Sequence, residues 1–270
     1  MISHPPWANQ MRAAPKCVNS ASNGIVFSRE QRVTLQNSLT VIKAQYNFSR
    51  IKFWGKITGL KDDYFIAQGY RRNMNDYLQT LYSLNGADWC ILEEVDEKIK
   101  GLALKLRGRF IGDPSFAYDC IEPDNNEESN NTNNQNSPNF GQGDNSELRI
   151  LEESRLSAVV SEISKQALVF PRNSICIDSG RLNLQWTGMN MKQALELSNW
   201  CDGSNQPITE ISEKYWSIQQ QMGAGVDCVH VVFRNLLWLG AIAFHTVETD
   251  QFGNIYVGTG EYRDFCNEHN

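Results

Sequence analysis

Residues 50–70 read RIKFWGKITGLKDDYFIAQGY, and the rest of the chain is organised around them. In an extended chain Ile51, Phe53, Gly55 and Ile57 fall on one side and Lys52, Trp54 and Lys56 on the other, the period-two pattern of a strand. Residues 59–63 carry turn signals, and Tyr64, Phe65, Ile66 and Ala67 begin a return strand. A lone hairpin is marginal in water, so this one requires more strands and a helix over its apolar side.

The flanking sequence supplies both. Upstream, Phe27-Ser-Arg-Glu-Gln31 has a staple residue, an N-cap and a Gln three places on. Leu35, Leu39 and Ile42 follow at helical spacing, with Val33 and Tyr46 at the edge of that face, which predicts a helix over about 29–45. Downstream, residues 71–76 read as a polar connection and residues 79–84 as a third strand. Asn85-Gly86 reads as a tight turn and residues 89–92 as a fourth strand. Residues 93–105 read as a short helix or a loop plus helix. Residues 106–110 alternate with Lys105, Arg107 and Arg109 as one basic strand face, and residues 112–115 form a turn.

The second half shows the same mixture. Leu156, Val159, Val160 and Ile163 share a helix face, and Glu152-Glu153 loads its start with negative charge. Short strands are expected at residues 167–170, halted by Pro171, and at 174–177. Asn190-Met-Lys-Gln193 opens a helix over about 191–199, and residues 201–213 read as loop. Strands follow from Trp216, over 227–233, over 236–246 and over 254–258, with the last turn placed at 250–254. The fold class is α+β: an antiparallel sheet-rich core with a packed N-terminal helix and short additional helices. Whether the two strand-rich regions make one sheet or two stays open.

Residues 1–24 read as a loosely ordered arm, a docking tail or, since they lack acidic residues, a mitochondrial targeting peptide. Residues 120–147 hold nine Asn between Asn125 and Asn145, six acidic residues and no basic one. Such a composition cannot bury enough apolar surface to offset its ordering entropy. It is expected to be a surface insertion between residues 25–119 and 148–270, which then make one continuous domain.

The totals are those of a globular protein: 270 residues, 41% hydrophobic and 21% charged, with a net charge of −6. That charge argues against nucleic acid, whose binders need a basic footprint. Seven scattered Cys without a CxxC suit reduced thiols in the cytosol better than a disulfide frame. The opening residues lack the apolar run of a secretory signal. The longest apolar run, 229–247, contains His230, Arg234, Asn235 and His245 and is unsuited to a bilayer. Asn47 and Asn130 head glycosylation acceptor patterns that are expected to go unused.

No reactive centre stands out. A zinc site sketched from Cys228, His230 and His245 matches no ligand spacing, and these histidines read more simply as hydrogen-bonded sheet residues. Gly253, Gly258 and Gly260 lack the following helix that a phosphate-cradling loop needs. No GxSxG occurs, and Asp62-Asp63 reads as a solvated turn. The expectation is no cofactor, no metal and no enzyme activity. Aromatic and basic side chains carry the interaction reading instead: most of the tryptophans are expected in the core, any exposed one is a natural anchor, and the basic face is either a solvated edge or a contact for an acidic partner, so Trp54, Trp89, Trp216, Trp238, Lys105, Arg107 and Arg109 are the candidate interface residues.

KFWGKITGLKDDYFIAQGY (52–70), TLYSLN (80–85) with Trp89, and LRGRFIGDPSFAYD (106–119) resemble the radial spoke head protein family. So do residues 24–39, EESRLSAVVSEI (152–163), Phe170-Pro-Arg172, residues 216–219 and 231–240, and NIYVGTGE (254–261). The length is similar to the small family members rather than to the long, acidic head proteins 4 and 6. The resemblance implies a non-catalytic part of the spoke head in the cytoskeleton of motile cilia, relaying mechanical signals between the central pair and dynein arms. It implies head proteins 4 and 6 and other head subunits as partners, with only indirect contact to central pair projections and none with nucleic acid or membrane. Two departures stand out: Trp238-Leu239-Gly240 where relatives have Trp-Pro-Gly, and the Asn-rich insertion. A soluble enzyme with an unrecognised pocket and a free adaptor remain the competing readings.

Overall fold

The computed structural model describes residues 27–71, 78–120, 148–176, 181–182, 185–208, 214–222 and 229–263. The expected arm, the connection at 72–77, nearly all of the Asn-rich insertion and Cys228 lie outside the described residues.

Helix α1 (Arg29–Gln45) begins as the sequence indicates. Ser28 Oγ accepts the Gln31 N–H at 3.0 Å, and the Gln31 side chain returns to the Ser28 N–H. Its buried stripe is Leu35, Leu39 and Ile42, while Val33 points to solvent. After α1 come β1 (Phe48–Ile57), β2 (Tyr64–Arg71), β3 (Leu78–Ser83) and β4 (Cys90–Leu92). The middle of the chain supplies α2 (Glu97–Ala103), β5 (Ala117–Cys120), β6 (Leu148–Leu151), α3 (Glu152–Gln166), β7 (Phe170–Pro171), β8 (Ile175–Cys176), β9 (Arg181–Leu182), α4 (Met191–Leu195) and β10 (Trp200–Cys201). The last strands are β11 (Trp216–Met222), β12 (Val229–Asn235), β13 (Ala241–Thr246) and β14 (Phe252–Gly258).

The open question of one sheet or two has a definite answer. Eight strands form a single sheet in the order β11-β12-β13-β14-β1-β2-β3-β4. Two antiparallel meanders are joined by one parallel pair, β14 with β1, in which Gly55 lies opposite Tyr256 and Ile57 opposite Gly258. Both faces are covered. α1 packs on a face lined by Ile51, Phe53, Phe65, Leu81, Phe244 and Val257. α3 packs on the other, over Trp54, Ile57, Tyr64, Ile66 and Tyr256. That two-sided burial explains why β2 and β13 read as continuous apolar runs.

One departure from the expected alternation follows from a bulge. The β1–β2 register shifts between Phe53 and Gly55, so Trp54 is the extra residue and the later side chains change sides. Ile57 therefore joins Trp54 on the α3 face, and Lys56 turns to the α1 side, 5.8 Å from the Phe27 ring.

Several boundaries differ from those expected. Residues 106–110 are not a strand: apart from a single bridge at Phe110 they form coil, because their carbonyls are drawn to a side chain of α3, as described below. The strand expected over 236–246 begins only at Ala241. Asn235 Oδ1 accepts the N–H groups of Leu237 and Trp238 at 2.9 and 2.8 Å and turns the chain. The final turn falls at residues 247–251, where Glu248 has φ 60, so Gly253 and Asn254 belong to β14. The helix from Asn190 stops at Leu195 and continues as one 3₁₀ turn, Leu197–Asn199.

Candidate interaction surface

The coil carrying Lys105, Arg107 and Arg109 is held in place by two charged side chains from the buried stripe of α3. Glu152, the first residue of that helix, is fully buried. Its Oε1 accepts the N–H groups of Gly112 and Asp113 at 2.7 and 3.1 Å and the Tyr64 hydroxyl at 2.7 Å. Its Oε2 accepts the Ile111 N–H at 2.8 Å and the Tyr118 hydroxyl at 2.5 Å. Burial alone would raise the pKa of this carboxyl. The tyrosine and backbone donors outweigh it, so the group is held below the ordinary carboxylate value. Conversely, burial and the carboxylate push the Tyr118 hydroxyl up to about 12.

One turn along α3, Arg155 completes the anchor. Its Nη1 donates to the Tyr118 Oη at 2.9 Å and its Nη2 to the Gly108 and Leu106 carbonyls at 2.5 and 3.4 Å. The guanidinium also lies 4.4 Å from the centroid of the Phe110 ring, a favourable cation–π distance. Glu152, Tyr118 and Arg155 thus form a relay of charge-assisted bonds that ties the coil to α3.

The held coil closes one end of the sheet. Leu60 and Lys61 donate backbone N–H bonds to the Phe110 and Ile111 carbonyls at 2.9 and 2.8 Å. Arg109 Nη2 reaches the Gly59 carbonyl at 3.2 Å, and Arg107 Nη1 the Tyr262 carbonyl at 3.5 Å. Tyr262 forms a bridge to Trp238 and packs edge-on against its ring. The result is a rim with exposed Leu60, Leu239 and Tyr262 among exposed Lys61, Lys105, Arg107, Arg109 and Arg263. Nearby, Asp62 and Glu261 are exposed, while Asp63 is paired with Lys56 at 2.7 Å. In a chain of net charge −6, this rim is a local cationic and apolar surface.

The candidate residues named from sequence separate into three groups. Lys105, Arg107 and Arg109 lie together on the rim. Trp54 and Trp238 do not: they are 1% and 3% exposed. Their indole N–H groups donate to Ser164 Oγ at 2.8 Å and Gln166 Oε1 at 2.9 Å, which locks them under the end of α3. Both are core residues, because the sheet is covered on both faces. Trp89 is half-buried against α1 and donates to Ser38 Oγ at 3.0 Å, and Trp216 is half-buried at the start of β11. Leu60, Lys61, Leu239, Tyr262 and Arg263 were missed. They come from separate segments and share no sequence pattern.

His230 and His245 are hydrogen-bonded sheet residues, as read. His230 Nδ1 faces Thr246 Oγ1 at 3.0 Å. His245 accepts the Met189 N–H at Nε2 at 3.1 Å and faces the Gln251 carbonyl through Nδ1 at 3.1 Å. Among the described residues no cluster of His, Cys, Asp and Glu could hold a metal, and no helix is long and apolar enough to cross a membrane. A groove of about 260 Å³ lies between β3, β4 and α3, lined by Gln68, Thr80, Glu93, Glu97, Lys100 and Ser161. Lys100 there is paired with Glu162 at 3.4 Å.

The family model for Radial spokehead-like protein matches residues 11–177. Radial spoke head protein 9 homolog from Danio rerio is 37% identical over 273 residues, covering 89% of this chain and 92% of its own length. The Homo sapiens homolog is 30% identical, with 90% and 92% covered. The chain belongs to the radial spoke head protein 9 family. Two segments that resemble the family, FWGK and NIYVG, turn out to be partners in space. They are the two strands of the parallel pair, and at Gly55 a side chain would run into the Tyr256 backbone. Leu239, between Trp238 and Gly240, lies on the exposed rim.

Proposed function

We propose that this chain is a structural subunit of the radial spoke head in motile cilia. In this reading it helps to assemble the head and to relay mechanical signals between the central pair and the dynein arms. The observation that carries the proposal is the family relationship along some nine-tenths of the chain, with relatives of matching length. The site of action is the axoneme, and the direct partners are the larger head proteins 4 and 6. The rim is the docking surface proposed for them. Its cations suit the acidic regions of those partners, and Leu60, Leu239 and Tyr262 supply apolar anchors.

The test is co-purification with head protein 4 or 6 from co-expressing cells. The variant Lys105→Glu/Arg107→Glu/Arg109→Glu is expected to lose most of the captured partner and its salt sensitivity with only a small drop in melting temperature, since all three side chains are exposed but Arg109 and Arg107 give up their bonds to the Gly59 and Tyr262 carbonyls. Undiminished capture would move the interface elsewhere. Axonemes that keep intact spoke heads after removal of this chain would end the functional reading itself. Deletion of residues 123–145 separates off the adaptor reading: unchanged capture counts against any role of the acidic insertion in binding.

A further inference from the structure

The eight-stranded sheet has two edges, and they differ. At one end β4 has only three residues, Cys90–Leu92, which is a short and poor template. At the other, β11 runs for seven residues, Trp216–Met222, and every one of them is in register with β12, from Trp216 opposite Asn235 to Met222 opposite Val229. Among the described residues no strand pairs with its outer side.

Native edge strands are ordinarily blunted by lysines, prolines, bulges or brevity. β11 reads WSIQQQM and has none of these devices. Its register is unbroken, and it carries no charge. Alternate side chains Trp216, Ile218, Gln220 and Met222 share one face. Trp216 and Ile218 are half-buried against the core on that face, whereas Met222 is 74% exposed. On the opposite face Gln219 is held extended by Arg234, whose Nη1 donates to its Oε1 at 2.6 Å.

We infer that β11 pairs antiparallel with β11 of a second copy of this chain across a two-fold axis through Gln219, joining two sheets into one. The strand is self-complementary in this register. Trp216 lies opposite Met222 of the second copy, so the exposed thioether meets a half-buried indole. Ser217 lies opposite Gln221, Ile218 opposite Gln220 and Gln219 opposite itself, with no like charges in contact. All seven residues pair, and the N–H and C=O groups that β11 turns away from β12 find partners in both copies. The second copy is the occupant because an extended ladder edge is matched by an extended chain and this uncharged strand matches itself residue for residue.

Sedimentation equilibrium of the full-length chain tests this over a range of concentrations. A mass that rises from one chain to two is expected. Gln219→Lys places like charges face to face on the axis, beside the Arg234 of each copy, and is expected to weaken the dimer about fivefold, whereas in Gln219→Glu each carboxylate is paired by its own Arg234 and the loss is expected to be smaller. An equimolar mixture of the two variants should restore it, because a Lys then faces a Glu. Circular dichroism confirms that both variants fold, and the mixture serves as an internal control. A monomer at every concentration overturns the inference. So does a dimer indifferent to both variants, or a mixture no tighter than its components, which would assign the edge to a different protein's strand or to a segment of this chain.

Discussion

At Gly55 an added Cβ would lie 2.0 Å from the Tyr256 carbonyl oxygen, and the backbone there has φ 151. Neither neighbour can give way, since Tyr256 is the β14 residue on the far side of the parallel pair. Gly55→Ala is therefore expected to cost more than about 3 kcal/mol, seen as a large drop in melting temperature or as insoluble protein. Glu152 is the second decisive residue. Replacing it by Gln puts an amide N–H against groups that themselves donate, and a loss of about 3 kcal/mol is expected in urea unfolding at pH 7. The sign of the acid dependence follows from its lowered pKa. The unfolded carboxyl takes up a proton before the folded one does. Its stabilising contribution is complete above the ordinary value of 4.5 and fades as pH falls through the folded value. Glu152→Gln should flatten that acid limb. The sequence showed the negative start of α3 but not this role. The signal was available as two charged residues, Glu152 and Arg155, spaced with Leu156 and Val159 on an otherwise apolar stripe.

Among the elements, α1 was the most legible, since a capping box and a three-residue apolar stripe act locally and need no tertiary information. The segment from Lys105 to Phe110 was misread because its basic and apolar residues alternate as a strand's would. Arg155 captures the Leu106 and Gly108 carbonyls and fixes it as coil instead. His245, next to last in β13, bonds through its ring to Met189 and Gln251 and so ties the segment before α4 and the last turn to the sheet. Burial lowers its pKa from 6.5, with a smaller contribution from His230. The unfolded chain therefore accepts a proton that the folded one resists. Stability is expected to be full above pH 6.5 and to decline as pH falls below it, and His245→Phe should remove that slope in thermal melts from pH 7 to 5. β1 holds a second case of the same sign, at higher pH. Lys52 is half-buried, and burial with the neighbouring Arg50 lowers its pKa to about 8 from 10.5. Between those values the unfolded chain keeps a proton that the folded one sheds, so stability should rise with pH across the interval. Lys52→Met is expected to raise the melting temperature at pH 7 by a few degrees and to abolish the rise.

For the whole molecule, the parallel pair between β1 and β14 means that neither meander completes its core alone. Phe53 and Phe65 from the first half share one cluster with Phe244 and Val257 from the second. A single unfolding transition is expected, with far-UV and near-UV circular dichroism coinciding. Residues 25–119 expressed alone should show no cooperative melt. Two separate transitions would instead mean that the halves fold independently. Binding to the proposed head partners should raise the melting temperature, because only the folded chain binds. Equal melting with and without head protein 4 or 6 would contradict that proposal.

The sequence by itself determined the helix at 29–45, most of the strands, the α+β class and the family, because capping, period-two alternation and turn chemistry act over a few residues. Tertiary structure alone decided that the strands make one sheet, that a bulge at Trp54 reverses the faces of β1, and that Trp54 and Trp238 are core rather than surface. It also decided which distant residues share the basic rim. The physical reason is the same in each case: these outcomes depend on contacts between segments distant in the chain, such as Gly55 with Tyr256, and no local preference encodes them.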